Sequence, residues 1–159
     1  MKKRLKSYLL IIFISMSLFL FIDFTLGKEL QKYASIGNLE RISEAYRKSH
    51  KVYHHDLVAN FDNTIMWGQQ IYRSCTNQFG FRKLCNKKKN DNLDYDIVFI
   101  GDSFTEAVGL HYKDSFVNLI SNSLEESNIA NMGVSSYSPS IYYSKINYYI
   151  KKGLKFDEV

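Results

Sequence analysis

The sequence predicts an α/β chain with a parallel sheet, preceded by an apolar N-terminal helix. Three observations predict it. Between Asp96 and Val159, short apolar runs alternate with helical stretches in the order strand, helix, strand, helix, strand. That order is the signature of parallel strands joined by right-handed crossovers. The first two runs each end at a glycine, Gly101 and Gly133. Finally, Tyr8–Ile22 (YLLIIFISMSLFLFI) is apolar apart from two serines and a tyrosine, directly behind the positive leader Met1–Lys6.

The apolar run holds fifteen residues, short of the roughly 20 that span a bilayer, but extension to Leu26 gives nineteen. Asp23 then falls near the far interface, where a charge is tolerable. A signal peptide and an uncleaved signal-anchor both fit this pattern. Thr25-Leu26-Gly27 is a poor small-x-small cleavage site, which points to the anchor. The positive-inside rule keeps Met1 in the cytoplasm and puts the chain after Gly27 outside. The expected organisation is an anchor over 1–27, a stalk and lead-in region over 28–93, and the α/β domain over 94–159.

Hydrophobic residues make up 45% of the chain and aromatics 15%, which suits a folded protein rather than a disordered one. The net charge of +5 is concentrated at the start: Lys2, Lys3, Arg4 and Lys6 leave 17 basic against 16 acidic residues elsewhere. A nucleic-acid face is therefore not supported. The lysine run Lys87–Lys89 reads as a solvated loop.

Lys28–Lys51 is polar, with Leu30, Tyr33, Ile36 and Leu39 recurring every three residues, and predicts a helical stalk broken near Gly37-Asn38. Beyond it come His50, His54, His55 and Asp56. Adjacent histidines project in different directions, so they read as surface or packing residues rather than as a metal site. Cys75 and Cys85 lack the C-x-x-C spacing of a metal motif and have no histidine between them. In an oxidising compartment they leave two states open, a disulfide around Phe79-Gly80-Phe81 or two free thiols. Asn86–Asp94 is a charged, Asn-rich linker, which sets the expected domain boundary.

Ile97–Ile100 is the central strand, an apolar run rich in β-branched and aromatic residues, buried on both faces. It delivers Gly101-Asp102-Ser103 to the strand's carboxyl end, where ligands and chemistry sit in open α/β sheets. A hydroxyl there becomes a nucleophile if a base and an oxyanion site stand nearby. The alternative is a simple turn in which Ser103 caps the next element of the chain. The stretch lacks the Lys-Ser/Thr pair of a phosphate loop and the G-x-G-x-x-G of a dinucleotide site. It also fails the G-x-S-x-G elbow, since Thr105 stands two positions after Ser103.

Phe104–Lys113 reads as a loop, and Asp114 as the cap of a helix over Ser115–Ser127 whose Phe116, Leu119, Ile120 and Leu124 share a face. Ile129–Gly133 is a second strand. Ser138-Pro139 starts a helix that continues over Ile141–Lys152 to Gly153, with Tyr142, Tyr143, Tyr148 and Tyr149 as packing and surface residues. Leu154–Val159 begins a third strand. The order puts Ser103 and Gly133 at the same edge of adjacent strands, facing one crevice.

FIGDSFTEAVGLHYKDSFVNLI followed by NMGVSSYSPS resembles the first two blocks of the GDSL, or SGNH, hydrolases. Upstream, VYHHDLVANFD and MWGQQIYRSCTNQFGFR are similar to the lead-in of membrane-anchored bacterial members, with N-x-x-G-F-R ending at Arg82. Arg82 either contacts the surroundings of the catalytic strand or pairs with a carboxylate. The resemblance implies a flavodoxin-like three-layer sandwich and ester hydrolysis or acyl transfer, without cofactor or metal. By it, Ser103 is the nucleophile, and the N–H groups of Ser103 and Gly133 are two of three oxyanion donors. The implied substrate is an acyl ester of envelope glycan or lipid, handled by a single-pass protein of the bacterial cytoplasmic membrane facing the periplasm.

The family's base is a histidine three residues after an aspartate, and none of His50, His54, His55 or His111 satisfies that. The third donor is the asparagine of a Gly-x-Asn-Asp block; Asn90-Asp91 precedes the catalytic strand and has Lys88 where glycine is needed. The expectation is thus a fragment, itself inactive, of a longer esterase or acyltransferase. The alternatives are a non-catalytic anchored protein that binds glycan or a partner, and a subunit of an envelope-modification complex.

Overall fold

The computed structural model describes residues 2–86, 92–124 and 127–159. Lys87–Lys89 and Asn90-Asp91 lie outside the described residues. The chain divides into two compact units, Met1–Asn38 and Leu39–Val159. Helix α1 (Lys2–Ala45) runs through Gly37 and Asn38 without the expected break. A single glycine in a helix costs only about 1 kcal/mol relative to alanine, and the good helix formers around it absorb that. Its Tyr8–Ala45 portion is long and apolar enough to cross a membrane or to serve as a signal sequence.

In the second unit, β1 (Arg47–His50) and β2 (His54–Leu57) form an antiparallel hairpin closed by the His50–His54 pair. A second hairpin joins β3 (Asp62–Trp67) to β4 (Gln70–Cys75) through Gly68, whose φ of 57° the turn requires. The expected parallel pair comes next: β5 (Ile97–Phe99) aligns with β6 (Ile129–Asn131) in the register Ile97–Ile129, Val98–Ala130, Phe99–Asn131. On the other edge of β5, Lys155 and Glu158 make parallel bridges to Asp94 and Ile97. The Tyr95 N–H donates to the Lys155 carbonyl at 3.0 Å, and the Val98 N–H to that of Glu158 at 2.9 Å. β5 is therefore central, with the second and third segments of the predicted order on opposite sides.

The lead-in completes this sheet. Arg82 bridges antiparallel to Asn131 on the outer edge of β6, its N–H donating to the Asn131 carbonyl at 3.0 Å. Tyr46, Tyr53, Leu57 and Phe81 share one apolar core with Val98, Met132, Val134 and Tyr149. Residues 39–93 consequently belong to the same compact unit as 94–159, and the linker composition before Asp94 marks no unit boundary. Cys75 and Cys85 form a disulfide, with Cα atoms 5.1 Å apart. Inside the loop they close, Gly80 (φ 87°) brings its backbone against Leu57, whose carbonyl oxygen would lie 2.7 Å from a Cβ.

Several helix boundaries differ from expectation. Tyr112–Asp114 forms a 3-10 turn, so Asp114 is used up inside it and Ser115 becomes the cap of α3 (Phe116–Ser123). The Ser115 Oγ accepts from the Asn118 N–H at 3.2 Å. Val117 and Asn118 are the buried positions of α3, whereas Phe116, Leu119 and Leu124 are largely exposed. Phe104–Lys113 is not all loop either, since Ser103–Glu106 forms a short helix, α2. Helix α4 (Pro139–Ile150) starts on its proline but stops at Ile150, with Lys151 as its cap, short of the expected Lys152; Gly153 (φ 94°) lies in the turn that follows.

Candidate active site

β5 and β6 stay side by side beyond their last paired residues. The Met132 N–H donates to the Phe99 carbonyl at 2.8 Å, and the Val134 N–H to that of Gly101 at 3.0 Å. Gly101 and Gly133 thus stand together at the carboxyl edge, and both back onto Thr105 in α2. A Cβ on Gly133 would sit 2.6 Å from Thr105 Cβ and 2.7 Å from the Glu106 nitrogen; one on Gly101 would lie 2.8 Å from Thr105 Cβ. Neither glycine has a positive φ. Space is what demands them: only two bare backbones let α2 drop between the strand ends.

Ser103 is the first residue of α2 and is half-buried. It is not the cap. Asp102 has that role, its Oδ1 accepting from the Phe104 N–H at 3.0 Å. The Ser103 hydroxyl makes no hydrogen bond with any described residue, and the first N–H of a helix has no intrahelical acceptor. Hydroxyl and amide are both available to a ligand. The Gly133 N–H is engaged, donating to Asn131 Oδ1 at 3.0 Å, while Asn131 Nδ2 donates to the Thr105 carbonyl at 2.6 Å. Asn131 therefore ties the exit of β6 to α2.

Arg47, Ser135 and Arg82 also hold this short helix. Glu106 is fully buried; its Oε1 takes a 2.7 Å ion pair from Arg47, and its Oε2 accepts from the Ser135 N–H at 2.6 Å. Arg82 takes the first of its two expected roles. Its Nη1 donates to the Glu106 carbonyl at 2.8 Å, and its guanidinium lies over the rings of Tyr72 and Tyr112. Burial pushes the Tyr112 hydroxyl up to about 12, so this ring stays an uncharged support. Ala107 leaves α2 in the left-handed region, φ 61°, its N–H returning to the Phe104 carbonyl at 3.1 Å.

No family model, curated protein or solved structure matches the chain.

His55 Nε2 lies 2.8 Å from the Ser135 carbonyl oxygen, and its Nδ1 lies 2.7 Å from that of His54. His50 stacks on Tyr53 with centroids 3.6 Å apart, and His111 is exposed at the start of the 3-10 turn. None of the four hydrogen-bonds to Ser103. Asp56 turns inward, where Oδ1 accepts from Lys145 Nζ at 2.8 Å and Oδ2 from the Tyr53 hydroxyl at 2.7 Å. Lys145 also donates to the Met132 carbonyl at 3.1 Å, and burial pushes its ammonium below the usual lysine range. Asp62 lies beside Cys75 and Cys85, but the two sulfurs are bonded to each other and offer no thiolate.

Sequence reading singled out Ser103 and Gly133 but not Arg47, Glu106, Asn131 or Lys145. For Glu106 the only signal was a carboxylate between Thr105 and Ala107 in FTEAVG, a pattern too short to distinguish burial from exposure.

Proposed function

We propose that the chain carries the nucleophile segment of an SGNH-type serine esterase or O-acyltransferase of flavodoxin-like architecture. In this reading it acts on acyl esters of envelope glycan or lipid. One observation carries it: the Ser103 hydroxyl and amide, both unengaged, lie at the carboxyl end of the central strand of three parallel segments. The second and third segments flank that strand on opposite sides, the arrangement in which open α/β sheets take ligands at the carboxyl ends of their strands. Ser103 Oγ would attack the acyl carbonyl, and its N–H would steady the oxyanion. Gly133 would join as a second donor once Asn131 Oδ1 gives way; each such donor contributes roughly 100- to 1,000-fold in rate. The apolar part of α1 would anchor the protein in the cytoplasmic membrane with Met1 inside, by the positive-inside rule.

A fluorophosphonate probe tests the nucleophile. The 159-residue chain should label slowly at Ser103, because no histidine there removes the hydroxyl proton. A chain continued by G-x-N-D and D-x-x-H blocks should label fast, and Ser103→Ala not at all. Failure of the continued chain to label would end the esterase reading. The bond from the Gly133 N–H to Asn131 favours a second reading, a non-catalytic protein that binds glycan through the same crevice. It predicts that no extension accelerates labelling.

A further inference from the structure

Beside α2 lies an open groove of about 470 Å³, lined by Arg47, Lys48, His54, His55, Trp67 and Ser136 among others. It adjoins the Ser103 turn through one residue: Glu106 of α2 binds Arg47 with one carboxylate oxygen and the Ser135 N–H with the other, and both partners line the groove. Among the described residues no carboxylate lines it, and Glu106 is buried. Arg47 donates to Glu106 through one nitrogen, and among the described residues its other N–H groups have no hydrogen-bond acceptor. Lys48 is exposed. Trp67 is 53% exposed, with the Arg47 guanidinium 5.8 Å from its ring centroid.

The two histidines add a directional acceptor. A carbonyl oxygen can only accept, so His55 Nε2 carries the hydrogen that reaches Ser135. In the uncharged pair, His55 Nδ1 then accepts from the His54 Nδ1–H, which leaves the lone pair of His54 Nε2 without a described partner. His54 and Ser136 both hold left-handed backbone, φ 73° and 67°, on residues other than glycine. Strained positions of this kind gather where a ligand is clamped. Two of the four such residues among those described line this one groove.

We infer that the groove binds a sugar carrying an anionic group, a carboxylate or a phosphate, with its ring on Trp67. Lys48 and the outer N–H groups of Arg47 hold the anion, and His54 Nε2 accepts from a sugar hydroxyl. An aromatic face suits the apolar side of a pyranose, and clustered cations without a lining acid select for charge. This rests on the esterase reading above and names its substrate class: an O-acylated anionic glycan held beside Ser103.

Trp67 is the sole tryptophan, so its fluorescence reports the groove directly. The full chain in detergent micelles is titrated with three oligosaccharides of equal length: an oligogalacturonate, a glycerol-phosphate glycan and a neutral cello-oligosaccharide. At least one anionic ligand should give a saturable change that weakens with added salt, and the neutral one should give none. Whichever anion responds identifies the source. Lys48→Glu should weaken binding by about tenfold or more. Trp67→Ala, followed by calorimetry, should lose it. Ser103→Ala should bind as the parent does, which separates the two readings. Glycan binding without labelling of Ser103 in the continued chain removes the esterase and leaves the groove. Labelling without glycan binding removes the groove alone, and so does equal binding of the neutral and anionic ligands.

Discussion

Thr105 packs against two glycines at once, and that contact decides what the site tolerates. At Gly133 an added methyl meets Thr105 and the backbone nitrogen of Glu106, which no rotamer change can move aside. Gly133→Ala should therefore destabilise the chain by the upper part of the about 1–3 kcal/mol usual for overpacking. A fall in thermal midpoint checks this, and an unchanged midpoint would mean that α2 is free to shift. His50 governs a different property. Burial against Tyr53 holds its ring below the ordinary histidine value of 6.5, and its Nδ1 accepts from the Val52 N–H at 3.2 Å. As pH falls through 6.5, the unfolded chain takes up the proton before the folded one does, so stability drops from there down to the folded value and is flat above. His50→Phe keeps the stacked ring and should remove that part of the acid dependence, measured as midpoint against pH.

At the scale of elements, the parallel pair and α4 were legible because each rests on local signals that tertiary packing does not override. β-branched runs ending in glycine marked the strands, and Ser138-Pro139 marked the start of the helix. Helix α3 shows the limit. Its apolar period is plain in the sequence, but Phe116, Leu119 and Leu124 are largely exposed, and periodicity cannot say which face a neighbour covers. Lys145 hid for the same reason: a lysine at helical spacing looks solvated, and only Asp56, 89 positions away, explains its burial. The cysteine spacing could not choose between thiols and a disulfide, since the choice depends on how Arg82 folds back beside Thr76. With the bond formed, reduction should cost about 2–4 kcal/mol. Thermal unfolding with and without reductant reads it, and a Cys75→Ser, Cys85→Ser double variant should match the reduced chain.

For the molecule as a whole, the site is assembled from segments far apart in sequence. Arg47 from the first hairpin and Arg82 from the lead-in hold a helix that begins at Ser103, while Ser43 of α1 accepts from the Met66 N–H at 2.8 Å. Linker composition suggested that the α/β part begins near Asp94, and composition has no means of registering these long-range bonds. The Arg47–Glu106 ion pair has a practical consequence for anyone producing the protein in pieces. A recombinant segment cut at Asp94 would lack Arg47 and leave the buried Glu106 carboxylate with the Ser135 N–H but no cation, a loss worth about 3–5 kcal/mol by itself. It should emerge from the ribosome as aggregate, whereas a segment cut at Leu39, with the apolar leader removed, should melt as one cooperative body.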